Sequence, residues 1–87
     1  MLNGKTKSGF EFSIDPSVLD NMELLDAVAE IDTNPLAVSM VISMVLGAQQ
    51  RKALYDHLRT EDGRVPVKAV SDAITDIFNS CGQRGKN

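Results

Sequence analysis

The first apolar positions of the chain alternate with polar ones. They are Phe10, Phe12 and Ile14. This period of two is typical of a strand that has one face against a core. Asn3-Gly4 and Ser8-Gly9 are both dipeptides that favour tight turns. The pattern predicts an N-terminal β-hairpin over residues 2–14 and leaves open which dipeptide forms its turn.

A short turn and a helix are predicted after the hairpin. Asp15 can cap a helical turn that Pro16 opens, since proline at the first helical position loses no hydrogen bond. Residues 22–31 then show apolar positions three and four apart, the spacing of one helix face. The predicted buried stripe is Leu24, Leu25, Val28 and Ile31. Asn34 and Pro35 end this helix and begin the next one.

Residues 36–46 are apolar almost all round, with Ser39 and Ser43 as the polar exceptions. This composition predicts a central helix that is covered on several sides. Gly47 is its predicted C-terminal stop. Residues 49–59 then form a separate amphipathic helix in this interpretation, with one polar face in water.

The last helix has the most regular apolar spacing. It begins at Pro66 and is expected to end at Gly82, before a flexible tail over residues 83–87. Its apolar positions are Val67, Val70, Ile74, Ile77, Phe78 and Cys81. The fold class is therefore predicted as mainly α, a small α+β domain over residues 1–82 with about four helices after the hairpin.

Composition and charge narrow the function classes. The chain has 87 residues, of which 43% are apolar and 24% charged, so it has room for one ordinary hydrophobic core. Nine Lys and Arg against 12 Asp and Glu give a net charge of −3. This balance disfavours binding to nucleic acid backbones and to anionic membranes. A single cysteine cannot form an internal disulfide, so a cytoplasmic setting is expected.

Catalytic and cofactor chemistry is not expected. A nucleophile needs a base and a group that orients it, and the one histidine and one cysteine, His57 and Cys81, lie in no known signature. They cannot supply the three or four ligands of a zinc site. The sequence therefore predicts no enzyme, no metal site and no cofactor.

The candidate contact residues come from charge and from methionine. Residues 11–32 contain acidic but no basic side chains, which suits docking to a basic partner or to another copy, or simply a solvated face. In the next helix, Met40 and Met44 are one turn apart, and methionine adapts to other surfaces as well as to cores. The predicted partner-binding residues are Glu23, Asp26, Glu30, Leu36, Met40 and Met44.

Several segments of the chain resemble one protein family. They are TKSGFEFSID (6–15), LLDAVAEID (24–32), NPLA (34–37) and HLRTEDGRVP (57–66). Together they resemble the small tail assembly chaperones of long-tailed phages that infect Gram-positive bacteria. The resemblance implies a largely helical, non-catalytic protein that binds the tape measure protein in the host cytoplasm and is absent from the mature virion. It also implies self-association around that client.

The family often makes a longer product by ribosomal frameshifting, and this product can contact the tail tube protein. Lys86-Asn87 can be encoded by an A-rich slippery stretch, which motivates the same expectation here. The alternative function is a small DNA-binding regulator of a phage or prophage. Its recognition helix would begin with Gln49, Gln50 and Arg51. An adaptor for an unrelated client is a third possibility.

Overall fold

The computed structural model describes the backbone of residues 1–85 and the side chains of residues 1–80. In chain order these residues form β1 (Leu2–Lys5), β2 (Glu11–Ile14), a 3-10 turn (Pro16–Leu19), and the helices α1 (Met22–Ala29), α2 (Pro35–Leu58) and α3 (Val67–Gly85). β1 and β2 pair as an antiparallel hairpin. The prediction of a mainly helical chain with an N-terminal hairpin is confirmed.

Ser8 and Gly9 lie in the hairpin turn. Gly9 has a φ of +96°, a region that glycine enters without steric cost. The Gly9 N–H donates to the Thr6 carbonyl at 2.9 Å, and the Thr6 N–H donates to the Phe10 carbonyl at 2.9 Å. These two bonds close the loop between the strands.

Gly4, in the other candidate dipeptide, lies within β1 instead. It stands directly opposite Phe12 of β2, and a Cβ atom on Gly4 would come 2.5 Å from Phe12 Cζ. Phe12 is 4% exposed, so its ring covers the bare backbone of Gly4 and fills the core side of the hairpin. Glycine is needed here for space.

The predicted helix starts are confirmed. Asp15 Oδ1 accepts a hydrogen bond from the Ser17 N–H at 3.0 Å, and this bond is the main reason why the pKa of Asp15 is lowered. Asn34 Oδ1 accepts from the Leu36 N–H at 3.1 Å, and Pro35 takes the first helical position. The Asp15 carboxylate and the Asn34 carboxamide thus accept hydrogen bonds from backbone N–H groups that the start of a helix leaves unpaired.

The count of four helices is wrong: residues 1–85 contain three α-helices. The two helices predicted on either side of Gly47 form one element, α2, which carries a kink where Gly47 has φ 77° and ψ 172°. Gly47 therefore changes the direction of the backbone, as a glycine can, without separating two elements by a loop.

The core is built around α2, which contacts α1, α3 and β2. Its members are apolar residues with 8% exposure or less. They are Phe10, Phe12, Ile14, Leu24, Ala27, Val38, Val41, Ile42, Val45, Leu46, Leu54, Val70, Ala73, Ile74 and Ile77. The hairpin, α1 and α3 thus cover one broad side of α2.

The contacts with α1, α3 and β2 confirm the prediction that residues 36–46 belong to a central helix covered on several sides, but the described residues leave one side of this helix uncovered. Leu36 and Met40 are exposed. An apolar composition all round a helix indicates that every face avoids water, but it does not require that the covering atoms come from the same chain. Leu25 of α1 is also exposed, against the prediction that placed it in the core.

Two helix ends differ from the prediction. α1 ends at Ala29, and Ile31 lies half-buried in the turn that follows. α3 continues through Gly82 to Gly85, because one glycine costs a helix only about 1 kcal/mol and does not end it. The prediction of a flexible tail is therefore wrong for residues 83–85, and Lys86 and Asn87 lie outside the described residues.

Candidate partner-binding surface

The first candidate surface is the outer side of α1. Asn21 fixes the start of this helix, since its Oδ1 atom accepts a hydrogen bond from the Glu23 N–H at 2.9 Å. From that start, Leu24 and Ala27 point into the core and are 0% and 5% exposed. Because a helix turns by about 100° per residue, the side opposite these two residues faces outward.

Apolar side chains lie on this outward side. Met22 is 67% exposed and Leu25 is 52% exposed, and Ala29 is exposed as well. Their spacing of three and four residues places them in one row, which we call the apolar stripe of α1. The sequence prediction missed Met22 and assigned Leu25 to the core, although Leu25 lies about 100° around the helix from Leu24.

The three predicted acidic residues lie beside the apolar stripe. Glu23, Asp26 and Glu30 are exposed, and their spacing again forms one row. Among the described residues, their carboxylates take part in no ion pair and no hydrogen bond. Glu30 is the C-cap of α1, where the negative end of the helix dipole disfavours a carboxylate. We call the apolar stripe and these three residues together the α1 face.

The second candidate surface lies at the start of α2. Leu36 is 79% exposed and Met40, one turn later, is 56% exposed, and we call these two residues the α2 ridge. Met44 continues the spacing but is half-buried and packs against the core. The structure therefore exposes two of the three apolar residues that were predicted to contact a partner.

The surroundings of the α2 ridge carry little charge. Residues 33–50 contain no ionisable side chain, and Ser39 and Ser43 flank the ridge on the same helix. Arg51 reaches back across the kink, where its Nη1 atom donates to Ser43 Oγ at 3.0 Å. The ridge is thus an apolar surface with hydroxyl neighbours and one guanidinium at its C-terminal end.

A small apolar cleft of about 230 Å³ lies on the same part of α2. It is lined by Pro35, Val38, Ser39, Tyr55, Val65, Val67 and Val70. Val67 is itself 56% exposed. The cleft has room for an apolar side chain of a partner, which adds a pocket to the surface beside the ridge.

Among the described residues in the second half of the chain, four basic side chains form ion pairs within their own segment. The ion pairs are Lys52–Asp56 at 3.3 Å, Arg59–Asp56 at 3.1 Å, Arg64–Asp62 at 3.0 Å and Lys68–Asp72 at 3.1 Å. The hydrogen bonds from Arg59 and Lys52 lower the pKa of Asp56. This segment is therefore close to neutral as an electrostatic surface, unlike the α1 face.

Two of the residues that could resemble a DNA-reading helix, Gln50 and Arg51, are engaged inside the chain. Gln50 Oε1 accepts from the Ser13 N–H at 2.8 Å, and Gln50 Nε2 donates to the Ser13 carbonyl at 2.7 Å. Gln50 thereby caps the backbone of β2, and Arg51 and Lys52 are held by Ser43 and Asp56. Direct readout needs such side chains to reach base edges. Gln50 and Arg51 are bound within the chain, whereas Gln49 and Lys52 are exposed.

His57 has a structural contact. Its Nε2 atom is 2.9 Å from the Ser8 carbonyl, and its ring lies 5.9 Å from the ring of Phe10. His57 therefore links the hairpin turn to α2, while the side chain of Cys81 lies outside the described residues. Within the described part of the chain, no three His, Cys, Asp or Glu side chains are grouped so that they could hold a metal ion.

Comparisons with family models, curated proteins and solved structures find no match for this chain. None of the helices in the described residues combines the length and apolar composition that crossing a membrane requires. The features that indicate a function are the two exposed apolar surfaces and the difference in their charge.

Proposed function

We propose that this protein is a non-catalytic chaperone of phage tail assembly, which binds the tape measure protein and keeps it soluble in the host cytoplasm. The observation that carries the proposal is the exposure of Leu36 and Met40 on α2. Apolar surface that a small domain leaves grouped in water often marks a site for another protein. The resemblance described above supplies the identity of the client.

The physical requirement of such a client fits these surfaces. A long helical protein that waits for assembly presents apolar side chains along its length, and these cause aggregation unless they are covered. A short amphipathic helix face can cover them through contacts at the i, i+3 and i+4 positions of the client. α1 and α2 each offer one exposed apolar row of this kind.

Self-association belongs to the same proposal, and the α2 ridge is the surface assigned to it. When two copies meet through the same patch, residues of that patch face one another, so charges of a single sign on it would repel. The ridge carries hydroxyl groups instead of acidic side chains, so it can face a second copy without repulsion. Several bound copies would then hold one client by avidity.

The decisive experiment is co-expression with the tape measure protein that is encoded in the same genome. The soluble fraction is separated by size-exclusion chromatography with light scattering. We expect the client to be soluble only when this protein is present, in a co-eluting complex of several copies. An insoluble client together with a small protein that elutes alone as a monomer would contradict the proposal.

A matched pair of variants sharpens this experiment. Leu36→Ser replaces the most exposed apolar side chain of the ridge by a polar one, while Leu36→Met keeps an apolar side chain at the same position. We expect the complex formed by the serine variant to contain fewer copies of this protein, and the complex formed by the methionine variant to contain as many as the wild type. Equal behaviour of the two variants would show that the ridge is not the contact.

The longer product and the absence from the virion remain parts of the proposal. The coding DNA should contain a slippery heptamer near the codons of Lys86 and Asn87 and an overlapping −1 frame. Mass spectrometry of purified virions should detect the tail tube protein and the tape measure protein but not this chain.

A further inference from the structure

The α1 face combines two properties that the fold does not use. Its apolar stripe of Met22, Leu25 and Ala29 is exposed, while Leu24 and Ala27 on the other side of the helix make the core contacts. Directly beside the stripe run the three carboxylates of Glu23, Asp26 and Glu30. The face is therefore itself amphipathic, with an apolar row and an acidic row along the same short helix.

Within the described residues the acidic row forms no ion pair, and of its three carboxylates only Glu23, in the first turn of α1, gains from the helix dipole. Its carboxylates have no basic neighbour there, they are spaced so that like charges repel each other, and Glu30 lies at the unfavourable end of the helix dipole. A solvated face does not need charges of one sign in one row next to exposed leucine and methionine.

We propose that the α1 face binds a basic amphipathic helical segment of the client. The apolar row of that segment would pack along Met22, Leu25 and Ala29, and its Lys or Arg side chains would lie over the acidic row. The inference rests on the proposed function only in assigning the segment to the client. The chemistry of the segment follows from the charge of the α1 face.

A second copy of this chain is a poorer occupant of the α1 face. If two α1 faces met each other, they would bring the two acidic rows together. Among the described residues of another copy, Lys52, Arg59, Arg64 and Lys68 already pair with Asp56, Asp62 and Asp72, so moving these four to the acidic row exchanges one exposed ion pair for another. Lys5 and Lys7 are exposed on the hairpin and do not form the basic row of a helix. Exposed pairs of this kind contribute little, and the exchange yields no net attraction.

The dimensions indicate a weak contact that gains strength by repetition. α1 has eight residues, about 12 Å of helix, so one copy covers roughly two turns of its partner. Such a small contact is reversible, and many copies along a long client would act together through avidity. A reversible contact also suits a client that must later be handed over.

The test uses the full chain and designed peptides of about 18 residues, or five helical turns. The first peptide places leucines at helical i, i+3 and i+4 spacing with lysines beside them. The second has the same composition in scrambled order, and the third carries glutamates in place of the lysines. Fluorescence anisotropy should show that only the first of the three peptides binds. Its binding should weaken as NaCl rises from about 0.05 to about 0.5 M.

Two pairs of variants locate the contact. The double variant Asp26→Asn/Glu30→Gln should weaken peptide binding about 3- to 30-fold. The control Glu11→Gln/Glu61→Gln changes the net charge by the same amount at exposed positions elsewhere, and it should leave peptide binding unchanged. Leu25→Ser should weaken binding roughly ten-fold, and Leu25→Met should not.

Three outcomes would overturn the inference. They are equal binding of the scrambled peptide, equal losses in the two double variants, and a change in the oligomeric state of Leu25→Ser, which would place a second copy on the α1 face. The peptide experiment and the co-expression experiment can fail independently. Loss of peptide binding with a soluble client would reject the α1 face alone, and an insoluble client with intact peptide binding would reject the chaperone function.

Discussion

The α1 face and the α2 ridge are both exposed apolar helix surfaces, but their charges differ. Met22 and Leu25 stand beside three carboxylates that form no ion pair within residues 1–80, whereas Leu36 and Met40 stand beside serine hydroxyls. The exposed apolar fractions are similar, so hydrophobicity alone cannot sort their partners. The comparison teaches that the polar row next to an apolar row decides which chemistry can cover it.

The same comparison separates attraction from repulsion. An acidic face rejects another acidic face and accepts a basic helix, and a neutral ridge accepts a copy of itself. The proposal therefore assigns two kinds of partner to one small chain, a basic helix to the α1 face and a second copy to the α2 ridge. The experiments below test this division, beginning with the folding of the helices that present the two surfaces.

The largest expected effect distinguishes two neighbouring leucines of α1. Leu24→Ala should lower the free energy of unfolding by about 2–5 kcal/mol because it empties a fully buried site. Leu25→Ala should change it by less than about 0.5 kcal/mol because its side chain is half in water. Urea unfolding followed by circular dichroism measures both. Similar losses in the two variants would mean that Leu25 belongs to the core and that the α1 face has no apolar stripe.

The next effect concerns the kink in α2. At φ 77° and ψ 172°, the Gly47 backbone lies in a region that is almost restricted to glycine. Gly47→Ala should therefore destabilise the fold by about 1–3 kcal/mol, although a Cβ atom there would meet no neighbour within 4 Å. In an unkinked helix the same change would stabilise by about 1 kcal/mol. The sign of the change in urea unfolding thus decides whether the ridge and the second half of α2 form one straight helix.

Local signals of the sequence predicted the local parts of the structure. The alternation at Phe10, Phe12 and Ile14 and the caps Asp15 and Asn34 depend on neighbours within a few residues, and the hairpin and both helix starts are confirmed. The turn dipeptide could not be chosen, because the decisive contact is between Gly4 and a ring across the sheet. Such a contact has no signature in the segment that contains the glycine.

The errors concern what covers a helix. Leu25 was predicted as buried because it is apolar and lies next to Leu24, but burial depends on which elements pack against which side of the helix. The grouping of Glu23, Asp26 and Glu30 followed from helical spacing and is observed. Their position beside exposed Met22 and Leu25 could not be predicted, since it requires the direction from which the core meets α1.

A smaller effect is expected on association, where variants of the two exposed leucines can be compared directly. Leu36→Ser should lower self-association roughly ten-fold and leave binding of the lysine-bearing peptide unchanged, and Leu25→Ser should do the reverse. Sedimentation equilibrium measures the first property, and fluorescence anisotropy measures the second. If either variant lowers both properties, the two surfaces form one contact and the division of partners is wrong.

The smallest expected effect tests the claim that the basic segment is occupied by its own carboxylates. Hydrogen bonds from Arg59 and Lys52 lower the pKa of Asp56. A lowered pKa means that the charged form stabilises the fold above the ordinary aspartate pKa of about 4, and that this contribution disappears as the pH falls through the lowered value. The melting temperature of Asp56→Asn should therefore be slightly lower than that of the wild type at pH 7, and the two should be equal in strong acid.

The matched control for this effect is Glu61→Gln. Glu61 is an exposed acidic residue of the following turn that takes no part in the described ion pairs. The Glu61→Gln variant should have the melting temperature of the wild type at both pH values. If Asp56→Asn also melts like the wild type at pH 7, its partners Lys52 and Arg59 are not held by Asp56. They would then be available to the acidic row of another copy, and the α1 face could bind a second copy of this chain.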